Sequence, residues 1–247
     1  MKRIVKMIAA LAVAVTGVLS AAETLSKEEF VALARRRNKV ATFAKLDGTV
    51  QHRRRGKEPV TMPVYFGAIL HPDRTIGQLI INQNEGYLLS QPQGSGMTAI
   101  RPMPGSGNGD KLGYVGVRAS DLVMSFLFCK VEKEFDNELL RGLIPCRVFL
   151  LDDPDNREKI KIWITTEHCF PMKAEFYHYG EKKPFRNLEA GGLTKKNDLY
   201  YVRRLRLSGP GWITKIDFED KNAEIGLLEP GKTPSVTRKL QGSVRKE

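Results

Sequence analysis

The feature that most constrains this chain is the two-residue alternation in residues 159–188, KIKIWITTEHCFPMKAEFYHYGEKKPFRNL, which can be read on both sides of a break. Ile160, Ile162 and Ile164 share one face, with Lys159, Lys161 and Trp163 on the other. After residues 168–171 the pattern restarts, with Met172, Ala174 and Phe176 opposite Lys173, Glu175 and Tyr177. A side-chain period of two is that of a β-strand, so this is an antiparallel ribbon with one apolar face. Val60, Met62, Val64, Phe66, Ala68 and Leu70 repeat the pattern over a longer run. The functional question is what covers the apolar face of the sheet that such ribbons build.

The N-terminus predicts the compartment. Lys2, Arg3 and Lys6 precede an apolar run at 7–18, too short to span a bilayer, and Ser20-Ala21-Ala22 supplies small residues before Glu23. This reads as a cleaved secretory signal, residues 1–22, followed by a soluble exported chain. No cysteine follows the apolar run, which argues against a lipid-anchored form. Removing the three signal cations takes the formal net charge from +12 to +9. Export argues against a nucleic-acid partner, leaving anionic surfaces such as phospholipid headgroups or a merely solvated basic surface. The densest basic clusters are 52–55 (His-Arg-Arg-Arg) with Lys57, and Arg203-Arg204 with Arg206.

The length suits one domain. Three cysteines, Cys129, Cys146 and Cys169, allow one disulfide plus one thiol in an oxidising compartment, and their spacing does not identify a pair. Cys146 shares parity with Ile144, Val148 and Leu150, an apolar side consistent with core.

Ser26 and Glu29 form a capping box that predicts a short helix over 27–37. In the strand 42–54, Asp47-Gly48 reads either as a hairpin turn or as a bulge in one long strand. Short strands follow at 75–82 and 87–91. Residues 93–111, rich in Gly, Ser and Pro, predict a long mobile loop; its glycines lack the Lys-Ser/Thr of a phosphate-binding loop. Ser120-Asp121 caps an apolar helix, 122–128, which must be buried against the sheet. A meander of strands then runs to about residue 219, and residues 228–247 read as a disordered basic tail.

Nothing points to catalysis, a metal or a cofactor. His52, His71, His168 and His178 lack metal-ligand spacing, and His168-Cys169 matches no nucleophile motif. Asp152, Asp153 and Asp155 lack the alternating ligands and closing Glu of a calcium loop and read as turn formers. Trp163 and Trp212 fit either packing or an interface.

The order of these elements, with Ser120-Asp121 before the second helix, IPCRVFLLD, the segment IWITTEHCFPMKAEFYHYGEKKPFRNLEA and a closing YYVRRLRL strand, resembles the LolA-like outer-membrane lipoprotein-sorting proteins. The matching positions are Ser120, Asp121, Trp163, Ile164, Pro171, Met172, Lys173, Tyr177 or Tyr179, Gly180 and Lys183, within residues 41–227. Ala119 stands where the family pattern has Gly, and the basic tail is a further departure.

The resemblance implies a mainly β fold with short helices (α+β), an unclosed antiparallel half-barrel over 23–227 with a helical plug. It also implies a periplasmic location and binding of lipid or lipoprotein acyl chains in transit between membrane donor and acceptor proteins, with transient membrane-surface contact. The candidate ligand face is Val60, Met62, Val64, Phe66, Ile160, Ile162, Ile164, Met172 and Phe176, and the candidate lid is Leu122, Met124 and Phe126. Alternation alone favours a dry core over a cavity, and only the resemblance makes the cavity the leading reading. Burying each CH₂ is worth roughly 0.8 kcal/mol, so an acyl chain of about sixteen carbons costs on the order of 12 kcal/mol to expose to water, and a carrier must hide most of it. The alternative is a non-transporting module that uses the same half-barrel to sense lipid or bind a partner protein.

Overall fold

The structure, a computed structural model, describes residues 6–7, 25–35, 40–92, 98–107, 109–229, 231 and 234–241. Most of the expected signal segment, including its cleavage point, therefore lies outside the described residues.

Two antiparallel meanders make one sheet. The first is β2 (Thr42–Arg54), β3 (Val60–Leu70), β4 (Arg74–Ile81), β5 (Glu85–Pro92) and β6 (Ala99–Pro102). The second is β7 (Lys130–Leu140), β8 (Ile144–Asp153), β9 (Glu158–Thr165), β10 (Pro171–His178), β11 (Arg186–Lys196), β12 (Leu199–Gly209) and β13 (Trp212–Phe218). They join where β2 pairs with β13, giving the order β6-β5-β4-β3-β2-β13-β12-β11-β10-β9-β8-β7. Short β14 (Glu224–Leu227) pairs with the start of β2, and β1 (Lys6–Met7) makes a parallel contact with β12. β6 and β7 do not pair with each other, so the sheet is an unclosed half-barrel. Among the described residues no helix is long and apolar enough to cross a membrane.

Asp47-Gly48 is neither a hairpin nor a bulge. β2 runs through it in unbroken register with β3, while its other edge changes partner there, from β14 at Thr42–Lys45 to β13 from Gly48 onward. A glycine is needed at this change of partner, because a Cβ on Gly48 would lie 2.2 Å from the Asp217 carbonyl oxygen.

The two far edges, β6 and β7, are joined by residues 103–129, which must cross the open mouth of the sheet. Their side chains Leu112, Val115, Val117, Leu122, Met124, Phe126 and Leu127 are buried in the main core. The expected continuous helix at 122–128 is broken into α3 (Ala119–Leu122) and a 3-10 turn (Ser125–Phe128). Met124 between them is left-handed, with φ 46°, so the chain turns sharply and keeps apolar groups on the sheet. The expected loop 93–111 is also only partly a loop. Ala99–Pro102 pairs with β5 and Lys111 opens α2 (Lys111–Tyr114), while 93–97 and 108 lie outside the described residues.

The predicted first helix is α1 (Lys27–Arg35), and its capping box forms as read. The Ser26 N–H donates to Glu29 Oε2 (3.0 Å) and the Glu29 N–H to Ser26 Oγ (3.3 Å). It buries Phe30, Val31 and Ala34 against the concave side, with Phe30 stacked on Phe149 at 5.9 Å.

On the outer face one expectation is sharpened and another is overturned: Cys146 is core, but in a small separate cluster. Cys146 and Val148 do not face the main core; they pack with Trp163 beneath Phe135, Leu140 and Ile144, while Phe149 and Leu151 of the same strand face inward. Both parities of β8 are buried because Phe135 and Leu140 of the bulged β7, with Ile144, pack on its outer side. The three cysteines are free thiols whose pKa values burial pushes up, to about 12 for Cys129 and about 11 for Cys146 and Cys169. The expectation overturned concerns the tail. Residues 234–241, expected to be disordered, lie across the outer face of β3 and β4, where Val236 and Leu240 are buried. Tyr65 Oη donates to the Val236 carbonyl (2.7 Å), Gln78 exchanges hydrogen bonds with the Arg238 backbone, and the Arg238 guanidinium grips Asp47 and stacks on Tyr65. Its low apolar content suggested disorder; two well-placed side chains, with Tyr65 and Gln78 satisfying its backbone groups, are enough to hold it.

Candidate functional site

The concave face is lined by the inward parity of every long strand. On β3, Met62, Val64 and Phe66 are buried; on β9, Ile160, Ile162 and Ile164; on β10, Phe176. Register explains why they meet: Phe176 stands opposite Ile160 and Pro171 opposite Ile164, and β2 sets Val64 opposite Gly48 and Phe66 opposite Leu46. Val60 and Met172, half-buried, pack against the same cluster, with Met172 displaced by a register shift between Pro171 and Lys173. Leu122, Met124 and Phe126, expected from the sequence to form a lid, belong to this cluster as well, and the Phe126 ring meets Phe176 edge-on at 5.9 Å. All twelve residues singled out from the sequence are thus in one continuous apolar body, with the crossing segment seated on the sheet.

What the sequence did not reveal is how that segment is fastened. Asp121 sits at the third position of α3, where its carboxylate accepts the Arg118 N–H (2.7 Å) and the guanidinium of Arg186 from β11. The two side chains are 2% and 4% exposed, so this is a buried ion pair. Arg118 itself makes a two-pronged bond to Glu158 of β9, at 2.8 and 2.7 Å, which raises its pKa further. Arg35 of α1 donates to the carbonyls of Leu127 (2.6 Å) and Cys129 (2.8 Å), satisfying the end of the 3-10 turn. At the α2 end, the Thr214 hydroxyl donates to the Val115 carbonyl and accepts from Nδ1 of His52 (2.9 Å). The Trp212 indole lies against Gly116, where φ is +69° and a Cβ would be 2.7 Å from the ring, so only glycine fits. A parity signal for these groups was available: Arg186 shares the inward parity of Leu188 and Ala190, and His52 that of Val50.

His52 holds an unpaired nitrogen. With Nδ1 donating to Thr214, Nε2 is an acceptor, buried and without a partner among the described residues. Burial and the nearby Arg54 both lower its pKa.

Where the unpaired edges β6 and β7 approach, a hollow of about 480 Å³ remains. Thr98 and Ile100 line it from the β6 side, Lys130 from β7, Asp155 from the β8–β9 turn, and Phe126 and Phe176 from the plugged face. This size falls in the range of about 300–1,000 Å³ common for small-ligand sites. Among the described residues no three His, Cys, Asp or Glu side chains cluster as a metal site.

No protein-family model and no curated protein sequence matches the chain. Its architecture is similar to that of a DUF1329 family protein from Desulfovibrio piger, at 13% identity and a TM-score of 0.62, over 85% of this chain and 93% of that one. It is also similar to a protein described as an outer membrane lipoprotein-sorting domain from Vibrio parahaemolyticus (14% identity, TM-score 0.58, 82% and 92% covered). A LolA superfamily protein from Nitrosomonas europaea matches at 10% identity and a TM-score of 0.50, over 83% and 94%. The chain therefore has the half-barrel fold found in DUF1329 and LolA superfamily proteins.

Proposed function

We propose that this protein is a periplasmic carrier, exported with loss of residues 1–22, that takes acyl chains of lipids or lipoproteins onto its concave face and passes them between membranes. One observation carries the reading. The apolar face of an unclosed sheet is covered by a broken, twice-tethered segment, and a hollow opens beside Phe126 and Phe176 at the sheet's seam. The description of the Vibrio neighbour as a lipoprotein-sorting domain agrees with this reading. On withdrawal of the segment, Val60, Met62, Val64, Phe66, Ile160, Ile162, Ile164, Met172 and Phe176 become the wall of the acyl site, and Leu122, Met124 and Phe126 are the lid.

The test joins occupancy to lid movement. Protein purified from a periplasm is extracted with organic solvent for mass spectrometry, and binding of a fluorescent acyl probe is measured. Cysteines placed at Phe126 and Phe176, in a background lacking the three native thiols, are then bridged by a short reducible crosslinker. Probe uptake and vesicle-to-vesicle lipid transfer should stop with the bridge in place and return on reduction. Empty extracts with no probe binding, or transfer at full rate with the lid fastened, would overturn the carrier reading.

A further inference from the structure

Several cations on the outer face of this sheet are matched by carboxylates: Lys161 with Glu138, Lys173 with Glu175, Arg204 with Asp217 and Arg206 with Glu189. One end of the half-barrel departs from that rule. Arg53, Arg54, Arg55 and Lys57, at the end of β2 and in its turn to β3, are exposed, and none makes an ion pair among the described residues. The Arg55 N–H donates to the Gly211 carbonyl (2.8 Å), which fixes this turn against the β12–β13 turn. The two turns enclose an open hollow of about 620 Å³, bordered by the four cations together with Arg206 and Trp212. The β10–β11 turn abuts as well, since a Cβ on Gly209 would lie 2.7 Å from the Phe185 carbonyl oxygen, and it carries exposed Lys182 and Lys183. Six cations thus face Glu58 and Glu181 as the carboxylates of the same turns.

We propose that this end of the half-barrel is a docking surface for anionic phospholipid headgroups. Six cations spread over two turn tips, on either side of the β12–β13 turn, suit a sheet of phosphates better than one phosphate, which would need them to converge on a point. Like charges held this close repel, and an anionic surface within a Debye length of about 8 Å relieves that repulsion. The surface also touches the plug. Trp212 lies against Gly116, and the exposed Tyr114 of α2 has its ring 5.4 Å from His52, so contact with a bilayer would occur beside one tether of the lid. The inference deepens the carrier reading, on which its biological sense rests, by naming where the carrier meets the membrane.

The test is co-sedimentation of the full chain with vesicles of phosphatidylglycerol and phosphatidylethanolamine, against vesicles of phosphatidylcholine, at low and high salt. Binding should require phosphatidylglycerol and weaken steeply with salt. Each cation that reaches the surface is worth about fivefold in affinity, so Arg53→Ser/Arg54→Ser/Arg55→Ser/Lys57→Ser should lose about a hundredfold with three in contact. A control with Lys196→Ser and Lys221→Ser at the opposite end should stay within the loss expected of net charge alone, a few-fold. Equal loss in both variants, or no vesicle binding by the parent chain, would overturn the proposal, the latter in favour of an acidic protein partner. Displacement by millimolar glycerol 3-phosphate would overturn it in favour of a soluble phosphate ligand. Circular dichroism checks that the variant is folded. The acyl-probe assay separates the two readings: vesicle binding without probe binding leaves the docking surface standing and removes the carrier.

Discussion

Replacing Asp121 by alanine tests the fastening of the plug most directly. The substitution leaves the Arg186 guanidinium, 4% exposed, without its carboxylate, and Nη1 of that arginine is already unpartnered. Breaking one side of a buried ion pair costs about 3–5 kcal/mol, because the remaining charge stays desolvated. The Arg118 N–H at the start of α3 loses its acceptor too. For a domain of this size each kcal/mol lowers Tm by about 2–4 °C, so a fall of about 6–20 °C is expected in thermal melts followed by circular dichroism. Asp121→Ala/Arg186→Met removes both charges and should recover more than half of the loss, since Met can pack against Phe176 where the guanidinium now lies, 4.8 Å from the ring centre. Hydrogen exchange should quicken in residues 117–128 before the strands, if the pair holds the plug rather than the sheet. A single-variant cost below about 1 kcal/mol, typical of a solvated pair, would refute the argument, as would a double variant no better than the single.

Gly48→Ala should be among the least tolerated small changes in the sheet, costing about 3 kcal/mol, because its Cβ would meet the Asp217 carbonyl at 2.2 Å and a strand must shift; an unchanged Tm would show that β2 and β13 are not that close. His52 is expected to make stability pH-dependent: its pKa lies below the unfolded value, so stability is fully present above about pH 6.5 and falls as pH drops below it, by at most about 1.4 kcal/mol per pH unit for one proton. The slope of Tm between pH 7 and 5 should flatten in His52→Phe, and a slope unchanged by that substitution would assign the effect elsewhere. Tyr65, pushed up to about 12 chiefly by burial beneath the C-terminal segment, should titrate nearer pH 10 once residues 234–247 are deleted, as read by phenolate absorbance. An unmoved titration would mean that the segment does not cover Tyr65.

The alternation of β3, β9 and β10 made the sheet and its inward residues legible, because a period of two survives any curvature the sheet adopts. Where both faces of a strand are covered, the pattern loses its sign. On β8 the outward Cys146 and Val148 are as apolar as the inward Phe149 and Leu151, so parity marks Cys146 as core without saying on which side of the sheet that core lies. The crossing segment was legible as apolar and buried but not as broken, since nothing in Leu-Val-Met-Ser-Phe-Leu-Phe announces a left-handed Met124. Its ionic fastening was hidden for a different reason. Asp121 read as a local cap, and its partner Arg186 is sixty-five residues away on another strand, a pairing that only register supplies. The C-terminal segment shows the same limit. Composition measures how much apolar surface a stretch has, and not whether two side chains, Val236 and Leu240, have a place waiting for them.

The topology explains why cover and release can belong to one segment. Residues 103–129 join the two outermost strands of a twelve-strand path, so their ends are fixed at opposite lips of the sheet. On the proposed carrier function, a segment tied at both ends would not leave but lift and reseat, remaining a competitor for the concave face at a high effective concentration. Its apolar side chains hold it down non-directionally, while Asp121–Arg186 and Arg118–Glu158 supply discrete positions to which it returns. Any acyl chain that binds must displace this intramolecular rival, so its apparent affinity is reduced by the fraction of molecules with the face uncovered. That reduction is what a carrier needs. An empty, permanently open groove would hold a long acyl chain by most of its transfer free energy and surrender it slowly, whereas a face with its own tethered cover recovers part of that energy each time cargo leaves.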